Sequence, residues 1–178
     1  MKIHRFALLA ALSLPTLAAA DKPTKLSDAD IATFAHVHAV NQMEIDMGNL
    51  AQKNGSTAVK KYGETLVKDH KSADKDLAAL AKKEGLANIP NDIAEADVAD
   101  HKAGMDAMTH LKTLKGVDFD KEFLPAMIDG HTKEVAKLDT AITATTDTAF
   151  SALLTKIKPV VQKHADDAKT LQTAIPKS

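Results

Sequence analysis

The chain has 178 residues, no cysteine, no tryptophan, a single tyrosine and a formal net charge of −1 at pH 7. Without cysteine there are no disulfides and no thiolate ligands, so any metal has to be held by nitrogen and oxygen. A near-neutral charge without a basic block, and the lack of stacking aromatics, leave nothing to attract a nucleic acid.

The chain opens MKIHRFALLAALSLPTLAAA, with Lys2, His4 and Arg5 ahead of an apolar run from Phe6 to Leu17. That run is too short to span a bilayer, and Ala18 to Ala20 supply small residues at cleavage positions. Residues 1–20 are therefore expected to be a secretory signal peptide cut after Ala20. No cysteine stands at the cut to carry an acyl anchor, so no stable membrane anchor is expected after cleavage. Residues 21–178 keep a formal charge of −3 and suit a single domain, free in the periplasm or outside the cell.

Every long periodic segment of the remainder has the helical period, in a composition of Ala, Lys, Leu, Asp and Glu. Ser27, with Asp30 three residues on, predicts a capped start for a first helix that stops at Asn54-Gly55. A second helix starts behind Ser56 and runs to Glu84-Gly85, and so short a turn makes the two an antiparallel hairpin. Pro90 and Asn91 break the pattern before a shorter helix, about 93–114, stopped by Gly116. Asp118 is expected to cap the next long helix, which runs to about Thr145, and Asp147 the last, which runs towards Ile175. Pro159 lies inside that last helix and is expected to kink it. The expected fold is all-α, four long helices with an extra crossing helix between the second and third. A crossover of that length permits the second and third long helices to run parallel, as in ferritin-like bundles, or antiparallel.

Each long helix carries one apolar stripe, and each stripe is interrupted by a polar residue. The stripe from Leu124 to Ile142 contains His131, and that of the last helix contains His164. The second helix contributes His70, and the first has His38 and Asn41, with Glu44 a turn on. At a rise of about 1.5 Å per residue, these positions fall near one height when the helices are laid side by side. Such a layer is how metal sites are built in bundle cores. One buried neutral imidazole costs little once its N–H is bonded, but three in one dry layer need a reason. A carboxylate follows each ring by about one turn: Asp74 after His70, Glu134 after His131 and Asp167 after His164. Each is a candidate further ligand or ring-orienting group. Imidazole with carboxylate suits iron, zinc, manganese or copper(II). The competing reading is a structural polar layer, sensitive to pH because imidazole titrates near 6.5, in an envelope interaction protein with no metal. His36, two residues from His38 and so on another face, is read as solvated, and His38 as a candidate fourth ligand. The methionines at helical spacing read as core filler.

The stretches MEIDMGNLA (43–51), LVKDH (66–70), VDFDKEFLPAMIDGH (117–131) and KPVVQKH (158–164) together resemble a bacterial exported family, domain of unknown function 4142, placed among ferritin-like bundles. The resemblance covers about residues 28–174. It implies the ferritin-like bundle and export, marks Glu44, His70, His131 and His164 as the site, and brings no established activity. One departure from ferritin-like di-iron proteins is plain: the E-x-x-H pairs are missing, since Val67, Ile128 and Val161 stand three residues before the histidines. Oxygen-activating chemistry is therefore not expected, and a metal would be bound for handling or for protection of the envelope under stress.

Overall fold

The computed structural model describes residues 26–175. The expected signal peptide, residues 1–20, lies outside them. The described residues form five helices and no strand: α1 (Asp28–Asn54), α2 (Thr57–Lys83), α3 (Glu95–Leu111), α4 (Gly116–Ala144) and α5 (Thr148–Thr173). No described helix is long and apolar enough to cross a membrane.

The helix ends are set by local chemistry. The Ser27 side chain accepts from the Asp30 amide at 3.1 Å and the Asp30 carboxylate accepts from the Ser27 amide at 3.2 Å, so two amides that the helix leaves unpaired are satisfied reciprocally. Asp147 caps α5 by accepting from the Phe150 amide at 2.7 Å. Two expectations need correction. Asp118 does not cap α4: the helix begins at Gly116, whose φ of +57° turns the chain into it, and Asp118 lies in the first turn. The crossing helix is also shorter than its pattern implied, because Ala94 offers no side-chain cap and the last turn opens after Leu111. α5 continues as one helix through Pro159, and α4 likewise contains Pro125.

Only Gly55 and Ser56 separate α1 from α2, and residues 145–147 separate α4 from α5, so each pair forms an antiparallel hairpin. Contacts between the hairpins fix their relative direction. Tyr62 of α2 reaches His164 of α5, and Asp76, further along α2, meets Lys156, earlier on α5. In the same way His36 of α1 meets Glu134 of α4, while Asn54 meets Lys115 beside the start of α4. α2 and α5 are therefore antiparallel, as are α1 and α4, and α2 and α4 run parallel. Both arrangements had been open from the sequence; the 95–111 crossover carries the chain back to make the parallel one.

α1 and α2 approach closely at two facing glycines. A Cβ on Gly63 would sit 2.6 Å from the Gly48 carbonyl oxygen, and one on Gly48 would sit 2.7 Å from the Gly63 oxygen. The obstacle is backbone, so it cannot yield by a rotamer change. Gly63→Ala should therefore destabilise by about 1–3 kcal/mol despite alanine's better helix propensity. Gly130, in α4, has nothing within 4 Å of the same atom. Gly130→Ala should stabilise by roughly 0.5–1 kcal/mol, and urea melts of the two variants should move in opposite directions.

The core falls into two apolar clusters. One lies at the α1–α2 turn, around Leu66, Phe119, Phe123 and Leu124; the other lies at the far end, around Phe34, Leu77, Phe150 and Leu154. Phe34 and Phe150 stack there with centroids 4.2 Å apart. Every long helix passes from one cluster to the other, and between them each presents polar side chains.

Candidate metal centre

That intervening layer holds Asn41 and Glu44 from α1, His70 from α2, His131 from α4 and His164 from α5, all buried. The three rings are 4 %, 2 % and 1 % exposed, drier than most histidines in proteins. Their centroids lie 5.8 Å apart for His70 and His131, and 5.2 Å apart for each of these with His164. One ligand nitrogen from each ring lies within 4.8 Å of the others.

Hydrogen bonds decide what each ring presents to the centre. His70 Nδ1 faces the Asn41 Oδ1 at 2.9 Å, His131 Nδ1 faces the Met127 carbonyl at 2.8 Å, and His164 Nε2 faces the Asp69 carboxylate at 3.1 Å. All three partners are oxygen acceptors, so those nitrogens carry the proton and donate. The other nitrogen of each neutral ring is then a bare lone pair. These are His70 Nε2, His131 Nε2 and His164 Nδ1, and none of them has a hydrogen-bond partner. Glu44 Oε2 also lacks one, and lies 3.8 Å from His131 Nε2. Among the described residues the only other unpartnered buried side-chain atom is Asn41 Nδ2. Three imidazole lone pairs and a carboxylate oxygen thus gather unpaired in one buried layer, with the Asn41 amide nitrogen the one unpaired donor among them. The donor types fit a borderline transition-metal ion.

Burial depresses the His70 pKa well below the ordinary histidine value, and the neighbouring His131 and His164 push it the same way. Burial and then His131 depress that of His164, against the pull of Asp69. Both rings are therefore neutral, the state in which imidazole ligates a metal. Burial raises the Glu44 carboxyl, with Glu134 adding to it and His131 opposing. The Tyr62 hydroxyl donates to the His164 carbonyl at 3.0 Å and fixes the backbone behind that ring; burial, then the charges of Glu44 and Asp167, drive its pKa upward.

The expected ring–carboxylate pairs within each helix are not formed. Asp74 accepts from His38 at 2.6 Å and from Gln42 at 2.8 Å, Glu134 pairs with His36 at 2.9 Å, and Asp167 takes Lys163 at 2.5 Å. The orienting groups come instead from Asn41, Met127 and Asp69. His38, held by Asp74, is not part of the three-ring cluster. His36 is not a solvated side chain: its side chain is 15 % exposed, with Nε2 on Glu134 and Nδ1 on Asp97 at 3.2 Å. Burial works against its charge, but the hydrogen bond and charge of Glu134, with Asp97, raise its pKa. Asp69 was legible in the Asp-His dipeptide of LVKDH, but an adjacent residue on a helix points away from its neighbour, so the likeness gave no hint of its partner on α5.

The family model described as domain of unknown function 4142 matches residues 15–171, nearly all of the chain. The chain belongs to that family. No curated protein and no solved structure matches it. The four stretches that carry the resemblance to domain of unknown function 4142 all fall inside the matched span. In this member they supply Glu44, His70, His131 and His164 to one layer, with Asp69 behind His164.

Proposed function

We propose that this protein is an exported bundle of the ferritin-like four-helix kind that binds one transition-metal ion between His70, His131 and His164. Its place is the periplasm or the cell exterior, and its role is metal handling or protection of the envelope under stress. The observation that carries the reading is the convergence of three unpartnered ring nitrogens, each made a lone pair by a hydrogen bond on its far side. Asn41, Met127 and Asp69 would hold the rings in the ligating tautomer, as the groups behind metal-bound histidines do. Glu44 would supply a carboxylate beside His131 and offset charge in a buried layer. Iron, zinc, manganese and copper(II) all accept such ligands. No reaction is assigned, because the paired E-x-x-H carboxylates of di-iron oxygen chemistry are missing.

The test is elemental analysis of the protein purified without chelator, beside a His70→Ala/His131→Ala/His164→Ala variant. Near-stoichiometric metal in the parent and none in the variant is the expected result. Absence of metal from the parent, even after incubation with iron, zinc, copper and manganese, would sink the reading. The layer would then be the pH-sensitive polar layer of an interaction protein, an alternative favoured by the depressed pKa values of His70 and His164.

A further inference from the structure

A cavity of about 220 Å³ lies between α3 and the α1–α4 pair, and both Glu44 and His131 line it. The two are 9 % and 2 % exposed, and each turns an unpartnered atom to the layer. Five carboxylates line this cavity: Glu44, Glu134, Asp97, Asp100 and Asp129. Against them stand Lys133, paired with Asp129, Lys137, paired with Asp97 and Asp100, and His36, paired with Glu134 and Asp97, which leaves the lining with an acidic excess. Asp100 is half-exposed and Glu44 is buried, so the acidic groups lead from solvent to the rings. A cleft with an excess of one sign and low-dielectric walls concentrates counter-ions and speeds their arrival.

A second opening, of about 150 Å³, reaches the layer from the α2–α5 side and is lined by Asp69, Asp76 and Lys156 as well as His70 and His164. It suits a cation less well. The His164 nitrogen facing Asp69 is the protonated one, while the bare lone pair is the other. Resting on the metal reading above, we propose that the cavity beneath α3 is the path by which a divalent cation reaches the three histidines, with Glu44 as the carboxylate that receives it on the cavity side and passes it to His131. The roof of this path is lightly held. α3 buries only Met108 and Leu111, near its C-terminal end, while its first half is tied down by polar contacts of Asp97 and Asp100 with Lys137 and of Asp97 with His36.

The path can be blocked without touching the ligands. Gly104 of α3 lines the cavity, and a Cβ there would press on the Met43 sulfur, the far end of a flexible side chain. Gly104→Leu therefore places its side chain in the passage once Met43 swings aside, and Ala107→Leu, also in the lining, serves as a second obstruction. Zinc is mixed with the metal-free protein in stopped flow, and its release to excess chelator is followed separately. A path acts on arrival and departure alike, so both rates should fall at least tenfold in Gly104→Leu or Ala107→Leu while Kd stays within twofold. Asp100→Asn/Asp129→Asn should slow arrival severalfold and flatten its dependence on salt. The metal-free readout is acylation of His131 by diethyl pyrocarbonate, located by mass spectrometry; the leucine variants should protect that ring. Unchanged zinc rates and unchanged acylation in both leucine variants would overturn the path and leave the metal site standing. So would slowing by Val160→Trp, on the α2–α5 opening, in their place. No binding of zinc, iron, copper or manganese by the parent at any concentration would instead remove the metal reading, and the path with it.

Discussion

Saturating the metal-free protein with the ion it holds should raise its melting temperature by roughly 8–16 °C. The size follows from mass action: free metal at a thousand times Kd stabilises the folded state by about 4 kcal/mol. In a domain of this size each kcal/mol moves the midpoint by about 2–4 °C. Replacing one ring, His131→Ala, should abolish the shift, because His131 is the ring that lies against both partner histidines and Glu44. The metal-free variant need not be much weaker than the parent. Truncating a buried side chain leaves a cavity, but here it also removes an acceptor crowded against other acceptors. The diagnostic is therefore the metal-induced shift in each protein, measured by calorimetry with and without chelator. A shift that survives in the triple histidine variant would place the ion on surface carboxylates and not in the layer.

The metal-free protein should lose stability in acid through His70, and a His70→Leu variant should not share that part of the loss. The folded state holds the His70 pKa down, while the unfolded chain returns it to about 6.5. Below that value the unfolded state binds the extra proton, so stability falls as the pH falls. Between pH 7 and pH 5 the contribution of one such ring reaches at most about 2 kcal/mol. His164 acts in the same sense. His36 opposes them: its raised pKa contributes stability that is present below the unfolded value and is lost as the pH rises through the folded one. Glu44, also raised, costs stability as the pH rises past its unfolded value, and so opposes them as well. The total pH profile is thus a sum of contrary parts, whereas the difference between parent and His70→Leu isolates one ring. Urea melts of both at pH 7 and pH 5 should show the variant gaining on the parent towards acid. A constant difference would mean that folding leaves the His70 pKa at its unfolded value, and a parent gaining on the variant would mean that the folded state raises it.

The layer was legible in the sequence because helical rise is uniform: counting residues from the Asn54-Gly55 turn and from Asp147 puts His70 beside Asn41 and His131 beside His164. The helix ends were legible where a side chain makes the cap, at Ser27 and Asp147. They were not legible where backbone conformation does it, at Gly116, or where no cap exists, at Ala94. The partners of the rings escaped for a different reason. A carboxylate one turn from a histidine shares its helix face only approximately, and a neighbouring helix can take it, as His38 takes Asp74 and His36 takes Glu134. His36 itself was misplaced because its own helix gave no sign that α3 and α4 would bring Asp97 and Glu134 over it.

The two apolar clusters on either side of the layer also bear on how the molecule opens. Each end has its own store of buried phenylalanine and leucine, and the join between them is built from buried polar side chains. Subglobal opening follows contiguous cooperative blocks. Without the ion, amides at the Phe119–Phe123 end and at the Phe34–Phe150 end should therefore exchange with solvent as two separate tiers. Once three helices are tied together at the join, the tiers should merge, and a protein that frays by halves would come apart only as a whole.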